Sequence, residues 1–187
     1  MDLDYRQRIL AAGAEEFHIK GFNAADMRSI AARASTAVGT IYNHFPDKLS
    51  LFHAIAWEQW QRLEQKVQEI SASDHAFRHK LYCIGELHLQ FTDQHRAVFR
   101  AITASSFDMS HNPKGGFPNE LLEPYLRLLA QTFAEQAGSN ADDLRIKQLA
   151  ALFFSGLALF PAILPDHRQE HLEFLISVIE SSLATNL

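Results

Sequence analysis

Residues 26–45 read DMRSIAARASTAVGTIYNHF, and this stretch decides the fold. Asp26 is a residue type that caps a helix start, and a short helix runs from it to about Ala34. Ser35, Thr36 and Ala37 make a tight turn, and another helix runs to Phe45. Pro46 and Asp47 break that helix and open a longer one. The turn is too short to leave the two helices as an antiparallel hairpin. Two short helices so joined, with a third upstream, are the arrangement that presents a recognition helix to the major groove of DNA.

On the second of these helices, Ile41 and Phe45 lie one turn apart and should anchor it on Ile30 and Phe17. Ala37, Val38, Asn43 and His44 are then expected on the groove side, with Arg28 from the preceding helix. Arg28 can give two hydrogen bonds to a guanine edge, whereas Val38 can meet only a thymine methyl. Gly39 lets the backbone approach DNA closely. The hydroxyls of Thr40 and Tyr42 are expected on phosphates. Lys48 adds a charge beside a helix N-terminus that itself favours phosphate. Thr36, in the turn, completes the expected DNA-binding set.

Working outward, Ile9, Gly13 and Phe17 recur at helical spacing with Leu10 and Ala14 beside them. Gly21 is expected to stop that first helix as a left-handed cap, with Phe22 packed on its last turn. Downstream, the long helix should reach about Ile70. Further helices are expected at about 75–93, 95–107, 119–137, 141–163 and 167–184, with a Pro/Gly-rich loop at 110–118. No run alternates apolar and polar long enough for a sheet. The expected fold is all-α, with a helix-turn-helix domain over 1–50 and a helical domain over 51–187.

The chain has 187 residues, 47% of them hydrophobic and 21% charged, which suits a globular protein. No uninterrupted apolar run reaches about 18 residues, so no membrane partner is expected. Met1 is followed by acidic residues rather than a basic and apolar leader, and Cys83 is the sole cysteine, so a cytoplasmic protein is expected. The net charge of −5 argues against nucleic acid until its distribution is examined. Residues 1–50 carry six basic and six acidic side chains, and the excess acid lies beyond them.

Ile9-Leu10-Ala11-Ala12, Phe17, Gly21-Phe22, Ile30-Ala31, Gly39-Thr40-Ile41-Tyr42-Asn43-His44-Phe45 and Lys48 resemble the signature of TetR-type transcriptional regulators, over roughly residues 5–52. The resemblance implies a dimer formed through the last two helices. It also implies a palindromic operator in double-stranded DNA, and its release when a small molecule binds the C-terminal domain, as in a repressor. Three positions depart from the family pattern. Ala25-Asp26 replaces a Thr-Thr pair, Ser35 replaces a turn glycine, and Ala37 replaces a Ser or Thr cap, leaving Thr36 or Ser35 to cap the helix.

In the C-terminal part, Leu152, Leu159, Leu172, Leu175, Ile176 and Ile179 are the expected dimer interface, since helix 141–163 is apolar on several faces and the last helix is striped. Phe91, Phe99, Phe107, Phe133, Phe153 and Phe154 are candidates to line a pocket for an apolar or aromatic effector. Two alternatives compete with this reading. One is metal sensing by His75, His79 and Cys83, but positions eight apart on a helix are about 12 Å apart along its axis. The other is a helical ligand-binding protein without DNA. No Gly-rich phosphate loop or nucleophile elbow is visible, so neither enzymatic activity nor a cofactor or metal is expected.

Overall fold

The computed structural model describes residues 2–94 and 119–185, and the regular structure there is entirely helical. The helices are α1 (Asp2–Ala24), α2 (Met27–Arg33), α3 (Val38–His44), α4 (Lys48–Ser71), α5 (Phe77–Gln94), α6 (Asn119–Ala137), α7 (Leu144–Ile163) and α8 (Arg168–Ala184), with a 3-10 turn at Pro165–His167. The all-α expectation holds. The helix expected at 95–107 and the loop at 110–118 lie outside the described residues.

The described residues divide into two compact units, 2–61 on one side and 62–93 with 119–185 on the other. The boundary therefore falls at 61 rather than 50. The reason is packing: Leu51, Phe52, Ile55 and Ala56 of α4 are buried in the same core as Ile9, Leu10, Phe17, Ile30, Ile41 and Phe45. Phe52 meets Phe17 and Phe22 edge-on, with ring centroids 5.2 and 5.0 Å apart. Gly21 does interrupt α1, at φ 75°, but its ψ of 166° is extended rather than left-handed helical. It kinks the chain, and Ala25 N–H bonds back to its carbonyl at 3.1 Å.

One buried charge ties this core together. The Glu16 side chain has no exposed surface, and its carboxylate accepts from Lys20 Nζ at 2.6 Å and Arg33 Nε at 3.2 Å. It also takes the backbone N–H of Asp26. Asp26 caps the start of α2 and Arg33 ends it, so one carboxylate of α1 fixes both ends of α2. Arg33 reaches Glu15 as well, at 2.7 Å.

In the second unit α6 packs on α7 and α7 on α8. Leu172 fits against Gly85 and Leu175 against Gly156, where a Cβ would come within 2.2 and 2.5 Å of a leucine methyl. These notches correct one expectation: Leu172, Leu175, Ile176 and Ile179 are at most 3% exposed within the chain itself, so they belong to its own core. Arg78 of α5 bonds Glu173 and Glu180 of α8, and Arg168 bonds Asp93. Gly138, at φ 61°, ends α6 in a Schellman turn, with Ser139 N–H on the Ala134 carbonyl at 3.0 Å.

The Glu16 carboxyl lies below the ordinary glutamate range, first because Lys20 hydrogen-bonds its ionised form and further because Arg33 and the Asp26 amide do so. A carboxyl with a lowered folded pKa stabilises fully above its unfolded pKa, and that contribution fades as pH falls through the folded one. Glu16→Gln should therefore lower Tm by a few degrees at pH 7. The gap from wild type should close below the ordinary glutamate range. Thermal denaturation of both proteins from pH 7 to pH 3 measures it.

Candidate nucleic-acid interface

The local chemistry around residues 26–45 builds one exposed helix on a fixed base. Asp26 accepts the Ser29 N–H at 3.3 Å and so caps α2 as expected. The helix then closes in a full Schellman motif, with Thr36 N–H on the Ala31 carbonyl at 3.0 Å and Ser35 N–H on the Ala32 carbonyl at 3.2 Å. Ser35 holds the positive φ of 51° that this motif requires. A non-glycine residue there costs roughly 1 kcal/mol. The sequence expectation fails at α3: Ala37 itself is the N-cap, in extended conformation, and neither Ser35 nor Thr36 caps it with a side chain.

Ile41 is fully buried and Phe45 nearly so, which seats α3 on the first unit's core as expected. Ala37, Gly39, Tyr42 and Asn43 are exposed, and Thr36, Thr40 and His44 are half-buried. Val38 departs from expectation, because it packs partly on the core and offers only part of its surface outward. Gly39 is informative in the other direction. A Cβ built there would meet nothing within 4 Å, so no packing among the described residues calls for glycine. Glycine inside a helix costs about 0.5–1 kcal/mol relative to alanine, and here nothing internal offsets that.

The basic side chains of the first unit are mostly engaged with the chain itself. Lys20 and Arg33 serve Glu16 and Glu15, Arg6 lies over the Phe45 ring at 5.6 Å, and Arg8 over Tyr5 at 4.6 Å. Lys48 was expected on phosphate. Instead its ammonium donates to the carbonyls of Asn23 at 3.2 Å and Ala25 at 3.1 Å, and sits 4.8 Å above the Phe22 ring. It thereby pins the start of α4 to the end of α1. Arg28 is exposed and makes no hydrogen bond or ion pair with another described residue.

The other predicted residues scatter. Phe133 and Phe153 are buried and stack edge-on at 6.0 Å, while Phe91 and Phe154 are half-buried and Phe99 and Phe107 lie outside the described residues. A surface cleft of about 480 Å³ opens elsewhere, over Leu122, Leu126 and Ala130, and none of the predicted phenylalanines lines it. His75 and His79 have rings 4.8 Å apart, and His79 Nε2 is 3.5 Å from Cys83 Sγ. Even so, no group of three metal-ligating side chains forms among the described residues. Sequence reasoning missed Glu16, although its i, i+4 spacing to Lys20 was visible. It also missed the buried pair His88 and Tyr125, although His88 continues the buried Leu81 and Ile84 face of its helix and Tyr125 that of Leu129 and Phe133.

These features define a helix-turn-helix protein. Residues 9–55 match the family model of the bacterial regulatory proteins of the tetR family. The transcriptional repressor KstR of Mycolicibacterium smegmatis is 31% identical over 83 residues, 44% of this chain. The regulator UidR of Escherichia coli is 36% identical over 64 residues, 34% of this chain. The chain spans 41% and 33% of the lengths of these two relatives.

The fold extends the likeness over the whole length. A TetR-family regulator from Streptomyces coelicolor superposes with a TM-score of 0.69 at 19% identity, covering 100% of this chain and 99% of its own. The regulator FadR from Bacillus subtilis, in complex with stearoyl-CoA, superposes with a TM-score of 0.67 at 19% identity, covering 95% and 97%.

The geometry makes Lys48 a positioning residue. Lys48→Ala should lower stability by about 1 kcal/mol through the loss of its two carbonyl bonds. Lys48→Arg should recover part of the loss, and urea denaturation of the three proteins measures both effects.

Proposed function

We propose that this chain is a transcriptional repressor that binds a palindromic operator as a symmetric dimer and releases it when a small molecule enters the second unit. The observation that carries the reading is the outward face of α3. Its underside is fixed by Ile41 and Phe45, while Gly39 leaves open space and Tyr42 and Asn43 stand exposed. Among the described residues nothing fills the space over Gly39. A DNA backbone passing close to Gly39, with the Tyr42 and Thr40 hydroxyls on phosphates, makes use of every part of that face. Asn43 and His44 then face the base edges, with Ala37 and the outer part of Val38 against thymine methyls.

A second copy of the chain is the proposed occupant of an apolar surface in the second unit. Leu152, Leu159 and Ile163 of α7 are 47%, 56% and 67% exposed at i, i+7 and i+11, and Phe174 of α8 is 58% exposed. The window Leu144–Pro161 is long and apolar enough to cross a membrane, with mean hydropathy 1.3, yet α7 packs on both α6 and α8. A partner's α7 and α8 would cover its remaining apolar side in a four-helix interface. The proposed site of action is the cytoplasm, with no membrane partner and no enzymatic step.

The FadR complex with stearoyl-CoA supports a small-molecule effector for this fold. The test is binding of the purified chain to the DNA upstream of its own gene, with and without metabolite extract. Retention without extract and release with it is expected; absence of any sequence preference would overturn the reading. Arg28→Ala should cost roughly 1–3 kcal/mol on the selected site and relax one base position per half-site. Lys48→Ala should leave the log–log salt slope unchanged. Leu159→Asp should give a monomer by sedimentation and weaken operator binding at least about tenfold, because one half-site then binds without the other.

A further inference from the structure

His88 lies on α5 with no exposed surface, inside a cluster of aromatic rings. Tyr125 of α6 places its Oη 3.3 Å from His88 Nδ1. Phe154 of α7 meets both rings edge-on, with centroids 5.3 Å from His88 and 5.6 Å from Tyr125. The other ring nitrogen, Nε2, is buried and makes no hydrogen bond with a described residue. Phe154 is only half-buried, so the cluster is not closed on its side.

A buried polar atom without a partner costs about 1–3 kcal/mol, and folded proteins keep few of them. Packing alone does not account for a histidine here, since a phenylalanine would fill a similar volume without that cost. The chemistry of the nitrogen is defined by its surroundings. Burial alone lowers the His88 pKa to about 4, with no charged side chain contributing, so the ring is neutral at physiological pH. Burial also pushes the Tyr125 hydroxyl up, so it stays protonated. Taking the Tyr125 hydroxyl as the donor to Nδ1 puts the ring proton on Nε2, which is then a single uncharged donor in an aromatic enclosure. Such a donor suits an uncharged oxygen on an apolar body. A carboxylate brought there would be desolvated with no cation among the described residues to receive it.

We propose that His88, oriented by Tyr125, is the hydrogen-bonding anchor of the effector site, and that the effector is an apolar molecule bearing an uncharged carbonyl or hydroxyl oxygen. This rests on the reading of the second unit as the effector domain. Acetophenone, ethylbenzene and benzoate share a phenyl body and differ in the head group, so they serve as probes on the full-length chain labelled with 15N-histidine.

Acetophenone is expected to shift the His88 Nε2 resonance and to bind about ten times more tightly than either other probe. His88→Phe is expected to fold with equal or higher Tm and to lose the preference for the ketone over the hydrocarbon. His88→Gln, whose amide reaches the Nε2 position, should retain part of it. Equal binding of ketone and hydrocarbon, tightest binding of benzoate, preference surviving in His88→Phe, or no binding of any probe would each overturn the proposal. Should His88→Phe fail to fold, the wild-type resonance and His88→Gln decide. Upstream DNA binding and its release by extract are measured separately, so loss of the His88 proposal leaves the regulator reading standing, and the converse also holds.

Discussion

The buried carboxylate of Glu16 is the constraint on which the helix-turn-helix unit depends. An ionised group without exposed surface is costly unless all its oxygens are satisfied, and here Lys20, Arg33 and the Asp26 amide satisfy them. Hydrophobic packing alone positions helices loosely about their axes, since many apolar contacts are interchangeable. A carboxylate held to three donors is not interchangeable. By gripping α2 at Asp26 and at Arg33, it sets where α2 ends, and the Schellman turn at Ser35 then sets where α3 begins. The outward face of α3 is thus fixed at several removes by a residue on α1.

That chain of dependence explains what the sequence disclosed and what it withheld. Helical periodicity and punctuation placed α1 to α4 well, because burial of Ile9, Phe17, Ile30, Ile41 and Phe45 is a one-face pattern along each helix. The Asp26 cap was equally legible, since capping is local. Lys48 was not. Its partners are backbone carbonyls at Asn23 and Ala25, and a carbonyl left open by a kink at Gly21 has no sequence signature. The domain boundary slipped for a related reason. A continuous helix such as α4 shows no punctuation where its side chains pass from one core to the next.

In the second unit the sequence showed which helices are apolar but not which side faces what. The stripe Leu172, Leu175, Ile176 and Ile179 suits a subunit interface and a monomer core equally well by spacing. The notches at Gly85 and Gly156 decide for the core, and they are visible only when distant helices are brought together. What remains outward is the sparser set on α7 and Phe174. His88 is the extreme case. Ten histidines lie in the chain, and the Leu81 and Ile84 spacing that puts this one on a buried face does not say what it meets there. Its partners sit 37 and 66 residues away, on two other helices.

The charge distribution carries a consequence for how such a domain holds DNA. Of the six basic side chains in residues 1–50, Lys20 and Arg33 are spent on carboxylates, Lys48 on backbone carbonyls, and Arg6 and Arg8 lie over aromatic rings. Arg28 stands exposed without a described polar partner, and Arg6 is exposed with only its ring contact. Counterion release scales with the number of phosphates neutralised, so one domain supplies little of the sequence-independent attraction that most DNA-binding proteins rely on. The interface proposed on α3 would compensate with geometry: close backbone approach at Gly39 and neutral donors at Thr40, Tyr42 and Asn43. Such contacts are short-ranged and count only when the helix is correctly seated. A single domain is then a weak binder, and joining two of them makes the second engagement intramolecular, which multiplies affinity without new charge. On this account dimerisation and a rigid seat for α3 are requirements of the same fact, the commitment of the domain's cations to its own fold.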